Sequence, residues 1–245
     1  MSRNFELLQQ IERGIEILSH PPSESGATAT LAGADGLPAQ YEPLINLVHR
    51  VFLMSDVDAP RVVVFSGADR SSGCSWICAH TCKVLAALVS GSVCIVDANL
   101  RSPGLHQYFD LQQPQGLTDA ISNPDPIRNY VQAVSDGRFS VLGSGDGVSN
   151  QAATIDINRM RSRIKELRQE FDYVLVDAPS LDLYSDGIVL AGASDGVILV
   201  LGASSSRREA ARNAVEGLKA ANVLLLGAVL NRREFPIPEF IYRML

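Results

Sequence analysis

From residue 61 onward, short runs of β-branched and aliphatic residues alternate with longer stretches whose apolar positions recur every three or four residues. The runs cover 62–65, 93–96, 139–142, 173–176, 196–201 and 223–230, and helical periodicity fills 75–89, 155–170, 185–192 and 207–221. The runs are apolar at nearly every position and do not alternate, so they predict strands buried on both faces. That pattern is the one made by a parallel sheet between two layers of helices, and it predicts a three-layer α/β domain with a mainly parallel, twisted sheet. Upstream, Leu7, Leu8, Ile11, Ile15 and Leu18 recur at helical spacing, which predicts an amphipathic helix over 5–18. Residues 21–40 are rich in Pro, Ser, Gly, Ala and Thr and read as a flexible linker. A second helix is predicted over 41–54, with Leu44, Leu47, Val48, Val51 and Phe52 on one side. The chain thus divides into a tethered N-terminal helix (1–20), a linker (21–40) and an α/β domain (41–245).

Composition narrows the function classes. With 245 residues, 46% of them hydrophobic, the chain can bury one large core and is not a disordered polymer. A net charge of -6 without a basic face argues against a nucleic-acid partner. The apolar stretches are far shorter than the roughly 18 residues a membrane-spanning helix requires, and no secretory leader opens the sequence. Cys74, Cys78, Cys82 and Cys94 crowd together, unlike a disulfide framework, so the expected setting is the reducing cytoplasm.

The candidate chemistry lies where strands end. The first strand of the domain runs into Ala68-Asp69-Arg70-Ser71-Ser72-Gly73-Cys74-Ser75, after which a helix starts. A small-residue loop between a strand and a helix can cradle a phosphate on backbone N–H groups and the positive helix end. A full phosphate loop has a lysine before the serine to reach the outer phosphates; Cys74 stands there. A thiol at a helix N-terminus is expected to lean toward thiolate, which would repel phosphate. Asp69 adds a further opposing charge, and Arg70 supplies a cation at a different position. The next strand ends in Val96-Asp97-Ala98-Asn99-Leu100-Arg101-Ser102-Pro103, and a later one in Val176-Asp177-Ala178-Pro179. Carboxylates at such strand ends face the crevice of a parallel sheet. Asp177 is placed to organise Mg²⁺, and Asp97 to do the same or to act as a base toward a hydroxyl.

Over 62–231 these landmarks resemble the cytoplasmic domain of the bacterial tyrosine kinases of capsule and exopolysaccharide synthesis, relatives of the deviant phosphate-loop ATPases of chromosome partition and division-site placement. The resemblance rests, in order, on Gly73-Cys74-Ser75, IVDANLRSPGLHQYF, FDYVLVDAPS, SDGIVLAGASDGVILVLGASSSRREAAR and GAVLN. It implies a P-loop NTPase-like fold with ATP and Mg²⁺ as cofactors. It implies nucleotide contacts from Arg70, Ser71, Ser72, Gly73, Cys74, Ser75 and Asn231, magnesium contacts from Ser75, Asp97 and Asp177, and vestigial catalytic roles for Asp97 and Asp177. The departures bear on activity: the family's loop lysine is Cys74, the second Asp of its acidic pair is Asn99, and a loop Pro and Gly are Arg70 and Ser71. Its tyrosine-rich tail is reduced to Tyr242. Its N-terminal oligomerisation helix corresponds to 42–50, with Ile45 and Val48 at two arginine places.

Loss of one hydrogen bond to a charged group removes about 1.5–3 kcal/mol, or about 10- to 150-fold in triphosphate affinity. The expectation is therefore a degenerate, pseudokinase-like protein with weak or absent ATP binding. It acts by contact with an inner-membrane chain-length or export protein, with self-association a further contact, and sits in the cytoplasm peripheral to that membrane. The alternative is an active tyrosine kinase or ATPase whose missing lysine is replaced by Arg70 or by a neighbouring subunit's cation. A partition-type dimeric ATP switch is disfavoured because its signature lysine falls at Asp69. Cys78 and Cys82 read as core residues or, with Cys74, as a helical stripe able to share a metal. Trp76 reads as packing for the helix start, with base stacking the alternative.

Overall fold

A computed structural model describes residues 15–17, 38–54, 59–112, 114–134, 137–145, 156–182, 185–203 and 205–232. The strands are β1 (Ile15–Ile17), β2 (Val62–Gly67), β3 (Val93–Asp97), β4 (Gln132–Val134), β5 (Phe139–Leu142), β6 (Tyr173–Ala178), β7 (Gly196–Gly202) and β8 (Leu225–Asn231). The α-helices are α1 (Glu42–Val48), α2 (Cys74–Leu88), α3 (Leu117–Ser122), α4 (Ile157–Glu170), α5 (Ser185–Ala191) and α6 (Arg208–Ala220). One eight-stranded sheet runs in the order β1-β8-β7-β2-β6-β3-β5-β4. Its pairs are parallel apart from the antiparallel β4–β5 edge.

Each central strand splits its residues between two cores, as a pleat with both faces covered requires. Val62, Val64, Cys94, Val96, Val174, Val176, Val197 and Leu199 pack under α3, α4, α5 and α6. Val63, Phe65, Ile95, Leu175, Ile198 and Val200 pack under α1 and α2. The α/β architecture is therefore the expected one. Helix α4 shows why these segments are helical: Asp156 caps it by accepting from Asn158 N and Arg159 N at 3.0 and 3.1 Å. Met160, Ile164 and Leu167 then fall on the buried side. The helix expected over 41–54 forms as α1 followed by a π-helical turn, His49–Leu53.

One expectation is corrected. Residues 15–17 are β1, not helix, and pair in parallel with β8 through Ile15↔Ala228, Glu16↔Val229 and Ile17↔Leu230. The sequence Ile-Glu-Ile satisfies a period of two as well as a helical one, and the open edge of β8 offers it backbone partners that an isolated short helix lacks. The remainder of the expected N-terminal helix, most of the linker, and Tyr242 lie outside the described residues. Among the described residues, no helix is long and apolar enough to cross a membrane.

At the sheet end where β2 begins, Asp195 ties three elements together. It accepts from Arg61 N at 2.7 Å, Val62 N at 2.9 Å and Arg168 Nη1 at 2.6 Å. The Arg61 side chain in turn donates to the Phe171 and Asp172 carbonyls beyond α4, at 3.0 and 3.1 Å. Burial alone would raise the Asp195 pKa, but the Val62 N–H, the Arg168 guanidinium and the Arg61 N–H together hold it below the usual value. A depressed folded-state pKa means stability that is complete above the unfolded value, near about 4, and that is lost as pH falls through the folded value. Asp195→Ala is expected to lower the unfolding free energy by about 2 kcal/mol at neutral pH. The urea midpoint should show this at unchanged slope, and the wild-type and variant midpoints should converge in acid.

Candidate functional site

Strand β2, buried along its whole length, delivers the chain to a loop at the C-terminal edge of the sheet. There Leu181 N donates to the Gly67 carbonyl and Ala68 N to the Val200 carbonyl, both at 3.0 Å, so the loop leaves from a crevice between neighbouring strands. Asp69 Oδ1 turns it by accepting from both the N–H and the hydroxyl of Ser71 at 3.0 Å. Gly73 then adopts φ +78° as the N-cap of α2. A side chain there would be strained and would collide with the Asn231 amide. Asn231, buried at the end of β8, donates from Nδ2 to the Ser72 carbonyl at 2.9 Å.

Below the loop, Asp97 and Asp177 are register partners on β3 and β6, and both are buried. Asp97 Oδ2 accepts from Gly104 N and Leu105 N at 3.1 and 3.0 Å, which caps the short 3₁₀ turn Leu105–Gln107. Asp97 Oδ1 and both oxygens of Asp177 are buried without a hydrogen-bond partner. Burial pushes both carboxyl groups up. The Leu105 and Gly104 N–H groups restrain Asp97, whereas the Asp97 charge raises Asp177 further, opposed by the Ser75 and Cys74 side chains.

A cavity of about 210 Å³ sits at the mouth of the crevice, and Arg70, Ser72, Gly73, Cys74 and Ser75 line it with Asn99 and Arg101. Ser71, Asp97, Asp177 and Asn231 are not among its lining residues. Ser71 is the turn of the loop, Asn231 braces it from behind, and the carboxylates lie deeper. Gly104 closes against Ser75, since a Cβ added to it would stand 3.0 Å from Ser75 Oγ. Arg101 commits Nε and Nη2 to Asp186 on α5 at 2.9 and 2.8 Å.

The expectation of a thiolate at Cys74 is corrected. Burial, followed by the nearby Asp177 carboxylate, raises its thiol pKa well above the ordinary value. The helix end favours an anion only where that anion keeps solvent, and here desolvation and a second anion outweigh it. Cys78, Cys82 and Cys94 are buried core residues. Among the described residues, no group of three potential ligands gathers to hold a metal. Trp76 stacks on His80 with ring centroids 4.1 Å apart, and Tyr41 stacks on the same histidine at 6.0 Å. Its ring thus joins α2 to the start of α1. Sequence reasoning missed Arg232, whose Nη1 donates to the Ser71 carbonyl at 3.3 Å; an arginine two residues after an apolar run carries no signal of a contact so distant in the chain.

Because Cys74 lines the cavity while the other three thiols are buried, it is the thiol a small disulfide reagent should meet first. Its reaction at pH 8 is expected to be slower than that of an unperturbed thiol, since an upward shift removes thiolate. Asp177→Asn should speed it. Fast labelling of the wild type, followed by mass spectrometry of the modified peptide, would contradict this electrostatic picture.

No protein-family model matches the chain. The tyrosine-protein kinase YwqD of Bacillus subtilis (strain 168) is 30% identical over 142 residues, covering 58% of this chain and 60% of that protein. The chain spans about 60% or less of the length of the first curated relatives it matches. Among solved structures, the chimerical protein CapA2B2 superposes with a TM-score of 0.77 at 19% identity, covering 94% of this chain and 99% of that one. The kinase domain of Escherichia coli tyrosine kinase ETK does so with a TM-score of 0.74 at 21% identity, covering 93% and 96%. The named homologues of this chain are thus bacterial tyrosine-protein kinases, and its fold is that of their kinase domains.

Proposed function

We propose that this protein is a kinase-like regulator of exopolysaccharide or capsular polysaccharide assembly that works by binding a partner, with weak or absent ATP binding and no efficient phosphoryl transfer. One observation carries the reading: the place of the loop lysine holds an uncharged thiol packed against Asp177. Phosphoryl transfer is driven mainly by fixed cations that meet developing charge. A neutral Cys74 meets none of it. Asn99 weakens the site further, because an amide cannot act as the second carboxylate of the acidic pair.

The carboxylates themselves still suit a cation. Asp97 Oδ1 and the two Asp177 oxygens are buried acceptors without partners, which is the condition a divalent ion relieves. With Ser75 they would hold magnesium, which when bound would neutralise phosphate charge. Asp97 would otherwise act as the acceptor for a hydroxyl proton, while its other oxygen keeps Gly104 and Leu105 in place. The loop shape is retained and its charge is not.

The partner class follows from the resemblance: an inner-membrane chain-length or export protein, with self-association through the α1 region as a second contact. The protein would act in the cytoplasm, peripheral to that membrane. A second reading, an active tyrosine kinase with a compensated loop, is favoured by one feature. Arg70 is exposed and lines the cavity, and its side chain has no ion-pair partner among the described residues.

Isothermal titration with Mg-ATP separates the two. The wild type is expected to give no resolvable heat up to about 1 mM nucleotide, and no label should pass to tyrosine. Cys74→Lys combined with Asn99→Asp is expected to gain about 10-fold or more in affinity. Tight wild-type binding with tyrosine labelling would overturn the leading reading and establish the second. Co-purification with the membrane partner tests the interaction directly.

A further inference from the structure

The loop that lost its lysine is still held in the shape of a phosphate cradle, and a residue outside the family resemblance holds it. Arg232 follows β8 in a left-handed conformation, φ +57°. Its own N–H donates to Asn231 Oδ1 at 2.9 Å, and its Nη1 reaches the Ser71 carbonyl at 3.3 Å. Asn231 takes the next carbonyl, that of Ser72. Consecutive carbonyls of the loop are therefore engaged from behind, by two residues that do not line the cavity.

A trans peptide is planar, with its carbonyl and the following N–H pointing in opposite directions. Fixing the Ser71 and Ser72 carbonyls toward β8 turns the Ser72 and Gly73 N–H groups the other way, and both residues line the cavity. The N–H groups of Ser72, Gly73, Cys74 and Ser75 have no acceptor among the described residues. Donors left open in this way at a cavity call for an anion. Glycine-rich loops reach that shape by backbone freedom. This loop has serines at 71 and 72, so the shape must be imposed from outside.

We propose that Arg232 is a positioning residue that clamps the loop from behind, so that backbone N–H groups bind a phosphate group with no cationic side chain at position 74. This rests on reading the cavity as a phosphate site. It adds that the residual affinity resides in the backbone and depends on a contact between β8 and the loop.

The test is titration of the full chain with inorganic pyrophosphate, with and without Mg²⁺, followed by heat and by emission from Trp76, the single tryptophan, which borders the cavity. Wild type should bind weakly, with a titration resolved only above the millimolar range, and Arg232→Ala should lose about 10-fold or more in affinity. The thermal midpoint should stay within about 2 °C, because Arg232 is exposed. Arg232→Gln keeps an N–H donor without the charge and should bind better than Arg232→Ala. Lys165→Ala removes one exposed charge from α4, outside the cavity lining, and should match wild type. The inference fails if wild type does not bind pyrophosphate, or if Arg232→Ala matches Lys165→Ala. It also fails if Arg232→Lys restores affinity while Arg232→Gln does not, since charge and not loop shape would then be the cause. None of these outcomes touches partner binding, so co-purification with the membrane protein judges the functional reading separately.

Discussion

Asp97 and Asp177 end neighbouring parallel strands in register, buried beneath a loop with Cys74 before Ser75. Two carboxylates cannot both stay ionised in such a place without help. Asp97 takes help from the Gly104 and Leu105 N–H groups, which hold it toward its charged form. Asp177 has no backbone donors, and burial and the Asp97 charge push it further up against the Ser75 and Cys74 side chains, which favour its charged form. The consequence spreads outward. Cys74 stays a thiol because it is buried and Asp177 is beside it, and the segment carrying Gly104 stays closed against Ser75 because Asp97 holds its N–H groups. The chemistry of residue 74, the closure over Ser75 and the protonation of the acidic pair are one coupled problem.

The two ends of the sheet solve their electrostatics differently. Where β2 begins, Asp195 meets Arg168 and two backbone donors, and Arg61 satisfies carbonyls beyond α4. Asp195 and Arg168 compensate each other there and carbonyls satisfy Arg61, so that end contributes stability. Where β2, β3 and β6 finish, the carboxylates form no ion pair with an arginine or lysine among the described residues. An uncompensated group is tolerable only where packing elsewhere supplies the margin. Here the two apolar cores on either side of the sheet do so.

The strands of the sheet interior could be read from sequence because they are buried on both faces, so almost every position in 62–65, 173–176 or 196–201 had to be apolar. Strand β4 and helix α3 went unread because three and six residues are too few to establish a period. Strand β1 was misread because Ile15 and Ile17 fit a strand as well as a helix, and the deciding factor, the open edge of β8, lies more than 200 residues away in the chain. The site residues were legible as a set, since strand ends and a loop before a helix are local patterns. Their electrostatics were not. The state of Cys74 depends on Asp177, 103 positions later, and on burial that no local pattern records.

Shape and charge are separable properties of a phosphate loop. The shape depends on Gly73 at positive φ, on the Asp69 turn, and on Asn231 and Arg232 behind the backbone. None of these requires residue 74 to be lysine. The charge at that position does depend on residue 74, a thiol that burial and Asp177 hold in its neutral form. A loop kept in form without its cation still positions α2, and through Trp76, His80 and Tyr41 it positions the start of α1. Packing and hydrogen bonds therefore maintain this arrangement independently of the charge carried at position 74.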